Sequence, residues 1–118
     1  MAEAGLFIGW GQPVRGRETT GIGVFNEALG FHGKQQEGGE IESFEVVLIG
    51  LHGGDLYGFI LVKGSEQQIA ALRANEEFQR LMTRAAQVVE RMGVVDASVD
   101  EGVGQSVAMY QDAVKDLA

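Results

Sequence analysis

Residues 41–62 read IESFEVVLIGLHGGDLYGFILV, and their alternation decides the fold. In residues 41–51, Phe44, Val46 and Leu48 fall on one side of an extended chain, and Val47, Ile49 and Leu51 on the other, because strand side chains point alternately up and down. Residues 57–62 repeat the pattern, with Tyr57, Phe59 and Leu61 against Ile60 and Val62. β-Branched and aromatic residues dominate both runs, and the polar link His52-Gly53-Gly54-Asp55 joins them as a β-hairpin. Both faces of this hairpin are apolar. An antiparallel sheet with one face in water would show a polar row, so something must cover each face.

Upstream, residues 6–10 (Leu6 to Trp10) form a short apolar strand that Gly11 and Pro13 close, since proline cannot donate to a ladder. From Glu18 to Gln36 the spacing turns helical, with Ile22, Phe25, Ala28 or Leu29, and His32 recurring at three to four residues. Gly21, Gly23, Gly30 and Gly33 lie inside this helix and each costs about 1 kcal/mol relative to alanine, so the helix depends on tertiary packing. Gly38-Gly39 is its stop.

Downstream, Ser65 with Gln68 three residues on makes a capping box, and an amphipathic pattern runs from Ile69 and Leu72 through Phe78, Leu81, Met82, Ala85, Val88 and Val89 to Met92. Asn75 before Glu76 and Glu77 reads as a second N-cap, splitting the element into a short helix and a long one. Gly93 ends it. Val94, Val95, Ala97 and Val99 predict a last strand. Val107, Tyr110, Val114 and Leu117 mark a final helix over residues 105–117, whose stripe needs a surface in its own chain or on a partner.

The chain has 118 residues, 45% of them hydrophobic and 22% charged, the composition of an ordinary globular protein. One domain over residues 1–118 is expected, with a core over 1–103 and a helical trailer over 104–118. The formal net charge of −8 and nine scattered Lys and Arg residues argue against a nucleic-acid partner or an anionic membrane surface. No apolar run approaches the roughly 20 residues that span a bilayer, and Met1-Ala2-Glu3-Ala4 does not resemble a signal segment, so a cytoplasmic location is expected. With no cysteine, disulfides, thiolate metal sites and cysteine nucleophiles are excluded.

In order, the elements read strand, helix, strand, strand, helix, strand, helix. The first six make two βαβ halves, the pattern of the α+β ferredoxin-like fold: a four-stranded antiparallel sheet with its helices on one face. The hairpin's second apolar face then remains open, and a patch of that size exceeds what a monomer usually shows. A twofold partner is the simplest cover.

On these residues the chain resembles the dimeric α/β-barrel superfamily, in which two ferredoxin-like subunits join their sheets. Residues 54–65, with Ala70, Leu72 and Phe78, are loosely similar to YCII-like proteins, although the Asp-Pro-aromatic motif of that group is replaced by Asn75-Glu76-Glu77-Phe78. The resemblance implies a homodimer and a superfamily of cofactor-free monooxygenases, isomerases, dehydratases, haem-dependent enzymes and proteins of unassigned role.

No catalytic set stands out. Gly9-Trp10-Gly11 follows a strand, but Pro13 intrudes and the third glycine of a dinucleotide fingerprint is missing. Ser43, Ser65, Ser98 and Ser106 have no motif around them. His32 and His52 lie on separate elements without acidic residues at ligand spacing, so no metal site is expected. No cofactor is expected either, the one alternative being that the resemblance to haem enzymes with an axial histidine implies that role for His32. The binding candidates are Trp10, amphipathic at a strand end; His32, on the apolar stripe of the first helix and otherwise a core residue; Glu45, which inside a dry barrel would have a raised pKa and serve as a base, and at the solvent edge would discourage aggregation; and His52, whose plainer role is in the turn. Glu42 has the same two readings as Glu45, and Arg15 and Arg17 stand where an anion could meet a helix N-terminus. Two functions fit this sequence: a module that binds a small apolar ligand or drives assembly, or a cofactor-independent enzyme of monooxygenase or isomerase type acting on a small aromatic or lactone-like substrate in the barrel lumen.

Overall fold

The computed structural model describes residues 2–117. Four strands, β1 (Ala4–Trp10), β2 (Ser43–Leu48), β3 (Gly58–Gly64) and β4 (Gly93–Ser98), form one sheet in the order β2-β3-β1-β4. Every pairing is antiparallel. With α1 (Glu18–Glu37), α2 (Glu66–Ala74) and α3 (Glu76–Ala86) between the strands, this is the ferredoxin-like α+β arrangement. A fourth helix, α4 (Glu101–Val114), follows β4.

Register assigns the two faces. Leu6 opposes Val62 and Ile8 opposes Ile60, while Phe44 and Val46 oppose the same two β3 residues from the other side. Leu6, Ile8, Ile60 and Val62 are each no more than 2% exposed, because α1, α2 and α3 lie over them and add Val24, Phe31, Ile69, Leu72, Phe78 and Leu81 to one cluster. The opposite face carries Phe7, Val47, Phe59, Leu61 and Val95, none fully buried, with the Phe7 and Phe59 rings 5.0 Å apart. None of these three helices covers that face. The doubly apolar hairpin therefore receives one cover from its own chain.

Several boundaries differ from the sequence reading, each for a local reason. β1 begins two residues earlier, at Ala4, because Ala4 and Gly5 find ladder partners in both β3 and β4. The hairpin strands are shorter than residues 41–51 and 57–62 at the turn: the ladder closes with Ile49 N–H donating to Tyr57 O at 2.9 Å, leaving residues 50–56 as the loop. α1 runs its full 20 residues despite its glycines, yet it buries Val24, Ala28, Phe31 and His32 and leaves Ile22 63% exposed. The buried stripe is thus rotated from the predicted one, since the C-terminal half of α1 lies on the core and its N-terminal half overhangs a gap.

The capping box at Ser65 forms as expected, Ser65 Oγ accepting from Gln68 N–H at 3.1 Å and Gln68 Oε1 accepting from Ser65 N–H at 2.8 Å. Asn75 caps a second helix by accepting from Phe78 N–H at 2.9 Å, which separates α2 from α3. That second helix stops at Ala86 rather than reaching Met92. Residues 88–90 leave it to pair with the chain after β1: Val14 N–H donates to Val88 O at 2.9 Å, Glu90 N–H to Gln12 O at 2.8 Å and Gly11 N–H to Glu90 O at 2.8 Å. Pro13, whose missing donor ends β1, still forms an isolated bridge with Val89. Gly93 opens β4 instead of merely ending a helix.

The last helix begins at Glu101, four residues before the predicted start. Gly102 explains the shift: a Cβ there would collide with the Glu3 carbonyl, so glycine lets the chain turn against the start of β1, and Gly102 N–H donates to Val99 O at 2.8 Å. It is the one buried residue of α4. Val103, Val107, Met109 and Tyr110 are 47–71% exposed. The radius of gyration, 16.0 Å, exceeds the roughly 13.5 Å of a compact chain of this length, as expected when a helix stands off the body.

Candidate ligand cleft

The gap beneath the N-terminal half of α1 is a cleft of about 560 Å³ with an almost wholly apolar lining. Its floor is the far end of the helix-covered sheet face, Ile8, Trp10 and Ile60, with Leu48 at the rim. Phe25 and Ala28 of α1 form one wall, and Met82 and Ala85 of α3 with Val88, Val89 and Met92 form the other. The backbone pairing of residues 11–14 with 88–90 fixes that second wall, and Arg17 Nη1 adds a bond to Gln87 O at 2.9 Å.

Trp10 is the centrepiece. Its indole meets Phe25 edge to face at 5.9 Å and lies over Gly58, where a Cβ would stand 2.7 Å from the ring. Glycine at this position is what lets the ring lie down on the sheet. The polar groups are few. Glu18, Asn26 and Tyr57 reach the lining, and the Tyr57 hydroxyl accepts from Gln12 Nε2 at 2.7 Å. Glu18 is already engaged by Gly16 N–H at 2.9 Å, and it is the only charged side chain in the lining. Such a site favours a mostly apolar molecule, and an anion taken from water would find no counter-ion in the lining.

Of the four sequence candidates, the structure brings one to the cleft, Trp10. His52 is exposed on the loop between β2 and β3, its Nδ1 2.9 Å from Gly50 O and its ring 6.4 Å from that of Tyr57, beside the mouth rather than in the lining. Glu45 is exposed on the open sheet face, opposite Leu61. His32 is fully buried at the other end of the helix-covered layer, with ring neighbours Phe31, Phe44 and Phe78 at 5.3, 5.6 and 6.3 Å. Neither ring nitrogen has a hydrogen-bond partner among the described residues. Burial pushes its pKa down to about 4, because the apolar surroundings penalise the charged ring.

Sequence spacing did not single out Phe25, Tyr57, Met82 and Met92 as lining residues, because each lies on an apolar pattern that core packing explains equally well. The one signal available was Pro13, whose interruption of β1 forces the chain across the end of the sheet. Ser98 and Ser106, which lacked any motif, hydrogen-bond to each other across β4 and α4. Among the described residues no three His, Asp or Glu side chains group as metal ligands, and no helix is long and apolar enough to cross a membrane.

No family model and no curated protein matches the chain. Solved structures do. A dimeric protein of unknown function with a ferredoxin-like fold from Bacteroides fragilis matches with a TM-score of 0.59 at 13% identity, over 81% of this chain and 96% of that one. The likeness is one of fold. An ethyl tert-butyl ether D (EthD) family protein from Bacillus halodurans aligns with a TM-score of 0.61 at 11% identity, over 85% of this chain and 100% of that one. SnoaB, a cofactor-independent oxygenase from Streptomyces nogalater, aligns with a TM-score of 0.51 at 12% identity, over 84% and 93%.

Proposed function

We propose that this protein binds a small, largely apolar molecule in the Trp10 cleft, and that it does so as a homodimer joined through the open sheet faces. The observation that carries the ligand reading is the cleft itself: about 560 Å³, within the range of small-molecule sites, held open by Gly58 and by the wall that residues 88–92 form. Support for the dimer comes from the uncovered apolar row of Phe7, Val47, Phe59, Leu61 and Val95, and from the dimeric protein of the same fold. The cleft lies on the helix side of the sheet. The ligand and the partner's sheet would therefore occupy opposite faces, and the lumen between two sheets would be a packed core with no substrate in it.

A second reading, catalysis on the bound molecule, draws on the Tyr57 hydroxyl, the polar group best placed to exchange a proton at the lining, and on the fold shared with a cofactor-independent oxygenase.

The chain has a single tryptophan, and it lines the cleft, so binding is read directly. The neutral dye N-phenyl-1-naphthylamine should bind saturably and quench Trp10, and Ala85→Phe, which fills the lining, should weaken that binding at least tenfold. Unsaturable binding, or an Ala85→Phe variant that binds as before, would remove the ligand reading. Sedimentation of Phe59→Asp tests the interface separately: the wild-type protein is expected as a dimer and the variant as a monomer.

A further inference from the structure

Besides the open sheet face, the cleft rim and α4 expose large apolar side chains, and the start of α4 lies at the end of β1 opposite the cleft. Ile22 and Leu48, 63% and 68% exposed, belong to the cleft's rim. Leu51, 91% exposed, projects from the adjoining loop. At the other end, Val103, Val107 and Tyr110 follow one another at helical spacing along α4, 47–66% exposed, on a helix anchored to the first residues of β1 by Gly102. The cleft begins where β1 ends, at Trp10. β1 separates the anchored start of α4 from the cleft by roughly 20 Å of extended chain, and Ile22 and Leu48 stay exposed along with the α4 stripe, so α4 does not cover its own cleft.

We propose that α4 of one protomer lies across the mouth of its partner's cleft and completes the site there. This rests on the dimer described above. A twofold axis running across the strands would set the tail end of each sheet against the cleft end of the other, and an isologous pairing makes the same contact twice, one helix per cleft. Charge fits this placement. Residues 101–117 carry Glu101, Asp112 and Asp116 against Lys115, a net of −2. The loop entering α1 at the cleft's edge carries Arg15 and Arg17, and neither forms an ion pair among the described residues. The apolar stripe of the helix would then meet Ile22, Leu48 and Leu51, so that each exposed set covers the other. Ligand entry would require the partner's helix to lift.

The absence of cysteine makes the test clean. Ile22→Cys and Tyr110→Cys together, in the full-length chain, should give a covalent dimer on oxidation, while each single variant should not. The product is read as a covalent dimer by mass, so a disulfide closed within one chain would not be mistaken for it. Independently, Val107→Asp with Tyr110→Asp should raise acrylamide quenching of Trp10 at least twofold while native mass still reports a dimer. A dimer by mass in which the double-cysteine variant does not cross-link, or in which Tyr110→Cys cross-links alone, would overturn the covering helix and leave the dimer standing. A wild-type monomer at micromolar concentration would overturn both.

Discussion

The two ends of the helix-covered layer are built from the same materials and finish differently. At one end Phe31, Phe44 and Phe78 close around His32, which is fully buried. At the other, Trp10, Phe25, Met82 and Met92 surround a cleft that stays open. The difference lies in the backbone. α3 runs under α1 as far as Ala86, and there the chain leaves the helix to pair with residues 11–14, so the layer loses a helix where it would otherwise have been filled. Aromatic content does not distinguish a core from a site; continuity of the covering element does.

Truncation should separate the two ends most strongly. Phe78→Ala at the closed end should cost about 3–5 kcal/mol, because a close-packed cluster cannot collapse into the vacancy, whereas Trp10→Ala at the open end should cost about 2 kcal/mol or less and abolish dye binding; urea denaturation of both variants would show whether the ends really differ. Acid should act on the closed end through His32. The folded pKa of His32 is about 4 against an ordinary 6.5, so between those values the unfolded chain binds the extra proton. The stability is complete above about pH 6.5 and is lost as pH falls toward 4, by about 3 kcal/mol at most. His32→Leu should flatten that dependence and be neutral or stabilising at pH 7, since it removes two unpaired nitrogens. A His32→Leu protein with the wild-type acid profile would show that His32 is not the titrating group. The smallest effect belongs to a feature the two ends share, the Ser65 cap on α2: Ser65→Ala should lose about 1 kcal/mol with dye binding unchanged.

The sequence disclosed the fold through features that act locally or through alternation. The hairpin's two apolar faces, the capping box at Ser65 and the break at Asn75 each follow from rules that span a few residues. The cleft was not legible because it arises from a long-range exchange of hydrogen bonds, Val88 and Glu90 with Val14 and Gln12. Val88, Val89 and Met92 continue a perfectly good helical pattern, and nothing local reveals that backbone partners 76 residues or so away will draw them off the helix. The same blindness misplaced the stripe of α1: Ile22 has the right spacing for burial but hangs over the space those residues vacated. His32 was readable as a core residue, though not as one with both nitrogens unpaired, since that depends on three phenylalanines from α1, β2 and α3 converging on it.

Arg73 carries a last consequence. Its Nε donates to Asp96 Oδ1 at 3.0 Å and its Nη2 to Val94 O at 3.3 Å, which places a cation along the outer edge of β4. A strand edge with free carbonyls invites another chain to add itself, and then another, without limit. Charge on that edge discourages the addition of another strand at β4, and with it the open-ended stacking that ends in fibres.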